Sequence, residues 1–222
     1  NNRAYVTDSA MLQDWSDSTA YTYMHADSLW TEEVPYQIYT LRERDSILID
    51  SVLTAQAPDT IWSDTTYQQL RAFRNVRIYR EDIQAVCDSA RYHGRDSLIT
   101  LYGLPICWSD KSQISADQID IYIKNEDVDY LYGQGNAIAI MQEGMTEFNQ
   151  MAGKEMTDYN SNQEVYLVDV QGNAETIFYP REDDGSYIGV NRTQSSFIKL
   201  YLTNRQIDHV VFTTTTTGVM IP

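Results

Sequence analysis

Cysteine is nearly absent from this 222-residue chain, which holds only Cys87 and Cys107. Two thiols cannot form a disulfide framework, and they lie too far from histidine to suggest zinc. Folding the chain about a turn at residues 93–96 does not set the two directly opposite each other, so their pairing stays open. Basic residues are also few: 16 Lys and Arg stand against 32 Asp and Glu, for a formal net charge of −16. Such a surface repels a nucleic acid or an anionic bilayer, so no nucleic-acid partner is expected. No run of 18 apolar residues exists, and residues 1–10 hold neither a basic nor an apolar signal region. Without an initiator Met, the sequence reads as a mature form or a fragment of a longer protein.

The usual carriers of chemistry are missing as well. His25, His93 and His209 fall at unrelated phases of the pattern described below, so they read as surface or strand-edge residues, with no metal expected. There is no Gly-x-Ser-x-Gly, His-Glu-x-x-His or phosphate-binding loop, and Gly133-Gln134-Gly135 lacks the third glycine of a dinucleotide fingerprint. Carboxylates gather at Asp127 with Asp129 and at Glu182, Asp183 and Asp184. Their setting suggests turns or outward faces, where solvated charge is the ordinary explanation and calcium binding its rival. An enzyme is not expected, nor is a cofactor.

What is abundant points to strands. Seventeen Tyr against five Phe, with many Thr, Val and Ile, suits side chains shared between a wet face and a dry one. The class expected is all-β, in a single elongated domain over residues 1–222. Residues 114–141 hold the clearest unit. Ile119, Ile121 and Ile123 alternate with Asp120, Tyr122 and Lys124, residues 124–127 supply turn chemistry, and a second run begins at Val128. The unit is a β-hairpin, and it recurs. Counting from a small residue to the start of the returning strand gives 12 steps from Ala116 to Val128, 13 from Ala152 to Val165 and 12 from Ser195 to Ile207. The returning strand has its own signature: Val128, Leu131, Gly133; Val165, Val168, Val170; Ile207, Val210, Phe212; and, upstream, Leu98, Leu101, Gly103. Two copies continue into the same tripeptide, Gly135-Asn136-Ala137 and Gly172-Asn173-Ala174.

Earlier stretches carry fainter copies. Residues 1–24 alternate weakly, with Tyr5, Trp15, Tyr21 and Tyr23 as bulky members, and Ala26-Asp27 and Asp88-Ser89-Ala90 echo Ala116-Asp117. Residues 32–64 differ in texture and read as an insertion at a hairpin turn, with Ile47, Leu48, Val52 and Leu53 fitting a short helix or a strand. Residues 68–76 supply the second strand. The spacing between copies grows, which suggests lengthening loops, and residues 180–194 form the longest late one.

Stacked hairpins of this kind bury an apolar stripe along one axis. The stripe is expected to hold Ile119, Ile121, Ile123 and Leu131 in one layer and Ile198, Leu200, Leu202, Val210 and Phe212 in another, with Leu101, Val168 and Val170 between. Small residues on one track, Gly103, Gly133, Ala137 and Ala174, would leave axial space that could take an acyl chain. A filled core explains the same stripe without any ligand.

The repeated Ala-Asp start, the hairpin and the return into Gly-Asn-Ala resemble the OstA-like family of lipopolysaccharide-transport proteins, which includes the LptA type and the amino-terminal domain of LptD. The resemblance runs over residues 25–212 and implies an open-ended β-jelly-roll of stacked hairpins in the periplasm of a Gram-negative cell. It also implies lipopolysaccharide or lipid A held by the stripe residues, and end-to-end strand pairing with other Lpt-type envelope proteins or with further copies of the chain. The family is not enzymatic. Two other readings stand beside it: a structural or interaction module of the cell envelope with a filled core, and an enzyme acting on envelope glycans through two converging carboxylates.

Overall fold

The computed structural model describes residues 3–14, 21–42, 47–49, 52–54, 57–81, 83–109, 111–125, 127–182, 184–204 and 206–222. Trp15 and Asp183, named above, lie outside them. Among the described residues there is no helix, and every strand pairing is antiparallel. The strands are β1 (Arg3–Asp14), β2 (Thr22–Arg42), β3 (Ile47–Ile49), β4 (Val52–Thr54), β5 (Asp59–Tyr79), β6 (Gln84–His93), β7 (Leu98–Tyr102), β8 (Ile106–Ser109), β9 (Ser112–Ser115), β10 (Gln118–Lys124), β11 (Asp127–Gln142), β12 (Phe148–Ser161), β13 (Glu164–Phe178), β14 (Val190–Thr203), β15 (Gln206–Thr213) and β16 (Thr217–Ile221). One sheet runs β1-β2-β5-β6-β7-β10-β11-β12-β13-β14-β15, with β8 pairing β6 and β9, β9 also pairing β11, and β16 pairing β14, while β3 and β4 pair with each other in a second sheet. The chain therefore forms the expected all-β stack of antiparallel hairpins, an open-ended β-jelly-roll.

A corner gives this sheet two arms. Register slips on successive strands between Thr7 and Ala10, His25 and Ser28, Phe73 and Val76, Gln134 and Ala137, Ala152 and Glu155, and Gln171 and Ala174. On alternate strands the slip holds a left-handed pair: Asp8-Ser9, Arg74-Asn75, Gly103-Leu104, Gly135-Asn136 and Gly172-Asn173. Extra residues in left-handed backbone bend a strand sharply, and glycine and asparagine tolerate that region best. The recurring Gly-Asn-Ala is thus the corner, with the alanine turned inward: Ala137 and Ala174 are buried, as are Ala10, Ala26 and Ala116. The aspartates of the Ala-Asp echoes face the same corners. Asn75 donates to Asp27 at 3.0 Å, Asn136 donates to Asp117 at 3.1 Å, and Gly103 backs onto Asp88.

Strand register then assembles the core. One cross-strand row in the first arm runs Val6, Leu29, Ala72, Ala90, Leu101, Ile119, Gly133, Met156, Val170, Ile198, Phe212. Its central members are wholly shielded from solvent, each worth about 1.5–3 kcal/mol of burial for a large side chain. Its ends are not, with Val6 at 49% and Phe212 at 38% exposure, so the row stays open at both edge strands. The next row runs Ile99, Ile121, Leu131, Asp158, Val168, Leu200, Val210. In the second arm the facing row is Ile78, Ala85, Cys107, Ile114, Ala139, Met151, Thr176, Thr193.

Three sequence expectations need correction. The stripe residues do not divide into one layer per hairpin: Ile119 and Ile198 share one row, Ile121 and Leu200 the next, because rows run across strands. The fourth echo is out of register. Leu101 stands in the row of Gly133 and Val170, and Gly103 takes the corner role of Gly135 and Gly172, with φ values of 77°, 74° and 77°. The cause is a shorter arm: Val128 to Gly135 and Val165 to Gly172 are seven steps each, whereas Leu98 to Gly103 is five. The growth in spacing also lies partly in strands, since four-residue β8 and β9 give way to longer paired runs in the later hairpins.

Residues 32–42 and 59–64 extend the sheet. β2 and β5 stay paired from Tyr23 with Tyr79 to Arg42 with Asp59, well past the points where β1 and β6 stop at Glu32 and Gln69. Between helix and strand, Ile47, Leu48, Val52 and Leu53 take strand, in the pair β3–β4. Pro35 falls where β2 has lost its β1 neighbour, so its missing donor breaks no ladder. Residues 68–76 lie within β5, as expected.

Because Gly172 (φ 77°) would bring a Cβ within 3.1 Å of three Lys154 side-chain carbons, Gly172→Val should destabilise the fold by about 2 kcal/mol or more. Asn173→Gly, at φ 52°, should leave the midpoint of urea unfolding within about 0.5 kcal/mol of wild type. Equal midpoints for the two variants would contradict the corner's role.

Candidate functional site

Between the two arms, over the later hairpins, lies a cavity of about 400 Å³. Its first-arm wall is apolar: Val128, Leu131, Val165, Val168, Leu200, Leu202, Ile207 and Val210 line it, with Phe212 at the rim. The second-arm wall mixes Cys107, Ile114, Ala139 and Met151 with Asn149, Thr176 and Asn191. This size lies within the range of small-ligand sites.

Local backbone geometry exposes the apolar wall to the cavity. In each later hairpin a register shift falls after a tyrosine, at Tyr122/Ile123, Tyr159/Asn160 and Tyr201/Leu202. A two-residue turn follows, and at Asn162-Gln163 both residues are left-handed, as a type I′ hairpin requires. The returning strand begins with Val128, Val165 or Ile207, all three on the cavity. Their phase-mates on the opposite face carry the tyrosines. Tyr122 stacks on Tyr130 at 4.2 Å, and Tyr130 meets Tyr159 at 6.0 Å. Burial beside Tyr122 pushes the Tyr130 hydroxyl up to about 12.

Of the twelve stripe residues, Leu131, Val168, Leu200, Leu202, Val210 and Phe212 line the cavity. Leu101, Ile119, Val170 and Ile198 are buried in the packed row nearer the corner, Ile121 is buried in the same row as Leu131 but off the cavity, and Ile123 is half-buried. The small-residue track does not leave axial space. A Cβ on Gly133 would meet those of Ala116 at 3.3 Å and Ala137 at 3.5 Å, so these residues let the arms close on each other at the apex. Room opens farther out, among large side chains.

The titratable groups are scattered. His25 bonds Ser9 at 2.8 Å, His93 lies tilted against Tyr67 with ring centres 4.6 Å apart and His209 stacks on Tyr201 at 4.3 Å, in three separate places. Cys87 and Cys107 are free thiols, both pushed up to about 12, chiefly by burial. Asp127 closes the β10–β11 turn opposite Lys124, as expected, and it also lines the cavity and accepts from Gln163 at 3.1 Å. Asp184 is exposed and accepts from the Ser186 backbone at 2.9 Å.

One residue on the wall was not singled out from sequence. Asp158 pairs across strands with Leu131 and Val168, and its Oδ1 is shut off from solvent without a hydrogen-bond partner. Burial alone raises its pKa from 3.8 to about 7. The strand's own alternation carries the signal: Met156, Asp158 and Asn160 share the inward phase, which puts a carboxyl where its neighbours place Leu and Val.

The sign of that shift sets a pH dependence. Below the unfolded pKa, Asp158 is neutral folded and unfolded, and its ionisation costs nothing. As pH rises above the unfolded pKa the unfolded state ionises while the folded carboxyl keeps its proton, so the fold loses stability progressively up to the folded pKa and the loss then levels off. Relative to wild type, Asp158→Asn should therefore gain up to about 4 kcal/mol of stability between about pH 4 and about pH 8. Urea unfolding of both proteins at the two pH values measures it, and a constant difference would count against the buried carboxyl.

No protein-family model matches the chain, and no curated protein matches it. Among solved structures it is similar to the crystal structure of LptH, the LptA homologous periplasmic component of the conserved lipopolysaccharide transport device from Pseudomonas aeruginosa. The two are 12% identical, the match covers 63% of this chain and 95% of that one, and the TM-score is 0.47.

Proposed function

We propose that the chain is a non-catalytic lipid carrier of the Gram-negative periplasm, one that binds the lipid A part of lipopolysaccharide as a bridge component in outer-membrane assembly. The observation that carries this is the cavity between the arms, whose first-arm wall is largely apolar, with Asp158 and Asn160 set into it and Asp127 and Gln163 beside the turns. An acyl chain laid on it gains roughly 0.8 kcal/mol per buried methylene, so a handful of methylenes gives useful affinity without any charged contact. The OstA-like resemblance of residues 25–212 supports the same cargo. A net charge of −16 suits such a carrier when phosphorylated head groups stay in water or share divalent cations with the protein. Edge strands β1 and β15 each pair on one side among the described residues, and an extended strand of another Lpt-type protein or a second copy could add there.

The rival is an envelope module with a filled core. What favours it is the centre of the first row, Leu101, Ile119, Val170 and Ile198, whose side chains are buried and off the cavity. The two readings part at neighbouring positions of β14. A photo-reactive residue at Leu200, on the cavity wall, should crosslink to lipopolysaccharide in cells, whereas one at Lys199, on the opposite face, should not. Mass spectrometry of lipids co-purifying with the protein should detect lipid A. Equal labelling at both positions, or none with no co-purifying lipid, would leave the filled-core module.

A further inference from the structure

Asp158 stands in a row whose other cavity-lining members are Leu131, Val168, Leu200 and Val210. Leucine or valine at this position would complete the wall. The carboxyl instead leaves Oδ1 closed to bulk water and without a partner among the described residues, a condition that disfavours the fold for any buried polar atom. Nearby polar groups do not answer it. On the opposite arm Asn149 is already engaged, donating to Glu143 at 3.1 Å and accepting from the Tyr179 backbone at 3.0 Å. Asn160, next on the same strand, turns its amide to the Asp158 main-chain carbonyl at 3.3 Å. Cys107 brings a thiol, a weak donor whose own ionisation the Asp158 charge further opposes.

An acceptor held in an apolar wall, without a partner from the protein, is complementary to a donor that arrives with a ligand. We propose that Asp158 sets the specificity of the cavity by accepting a hydrogen bond from a hydroxyl, amide N–H or ammonium carried on the otherwise apolar chain of the bound amphiphile. This rests on the carrier reading and adds to it: the cavity selects apolar chains that bear a donor over chains that do not. The selection follows from the cost of leaving the acceptor unpaired, since a plain chain buries Asp158 without satisfying it.

The test uses the whole chain at pH 9, where the Asp158 carboxyl is ionised and only accepts, with diphenylhexatriene as a donor-free fluorescent reporter, displaced by dodecanol, by dodecyl methyl ether and by dodecylamine. Dodecanol should displace it at a concentration about tenfold lower than the ether, which differs in lacking the donor. In Asp158→Leu the alcohol and the ether should become equal. Dodecylamine separates the sources: displacement tighter than dodecanol assigns the donor to a cation, and displacement equal to it assigns the donor to a neutral group. Should the leucine variant not fold, the Asp158 carboxyl carbon resonance of the wild type serves instead, and it should move with dodecanol and stay still with the ether. Equal displacement by alcohol and ether in the wild type, or a preference that survives in Asp158→Leu, would overturn the specificity role while leaving the carrier intact. Failure of the reporter and all three amphiphiles to bind would remove both.

Discussion

The whole arrangement depends on a bend repeated at the same place on neighbouring strands. A flat sheet of this length would have two faces to cover and nothing to cover them with. Left-handed backbone at Gly135-Asn136, Gly172-Asn173 and their counterparts folds each strand back over its own first half. One sheet then covers itself. The bend fixes the side-chain choices around it: alanine inside, because two arms meet there, and aspartate outside, where Asp27 and Asp117 accept from the asparagines of the next corner. Since every strand must bend at the same level for the arms to align, the corner also sets the register of the cross-strand rows.

From that geometry the cavity follows. Near the apex the arms are close, and small residues meet there: a Cβ on Gly133 would come within 3.5 Å of those of Ala116 and Ala137. Moving outward, the gap widens faster than side chains lengthen. The first row still fills it with leucine, isoleucine, valine and methionine, and the row beyond begins to leave space. Small residues therefore mark the tight end of the wedge and large ones the roomy end, which reverses the intuition that glycine and alanine make room.

Much of this was legible in the sequence because it repeats. The alternation of Ile119, Ile121 and Ile123, the returning Val128 and Leu131, and the Gly-Asn-Ala tripeptide report inward phase and corner directly, and the hairpins form as expected. Two things were not legible. Leu98, Leu101 and Gly103 match the returning-strand signature by spacing, yet they stand one row displaced, because β7 lacks the bulge that the later hairpins share and a gapless comparison cannot see a missing pair of residues. Asp158 was hidden for a different reason: in a stretch as polar as Lys154 to Gln163, one more acid looks like surface, and only its partners Leu131 and Val168 show that it faces in.

The displaced echo also explains where the cavity lies. In β11, β13 and β15 the returning arm is seven residues from turn to corner, and its first inward residue is Val128, Val165 or Ile207. In β7 it is five, and Leu98 is not on the cavity. Two additional residues per arm carry the wall one row farther from the apex, where the wedge is too wide for side chains to bridge. The tyrosine bulges at Tyr122, Tyr159 and Tyr201 keep the turns paired while adding that length. A hairpin without the added row packs shut, and three in succession with it leave a largely apolar wall broken at Asp158 and Asn160. The variation in repeat length, which first looks like decay of a pattern, is thus what separates the part of the molecule that is only packed from the part that can hold something.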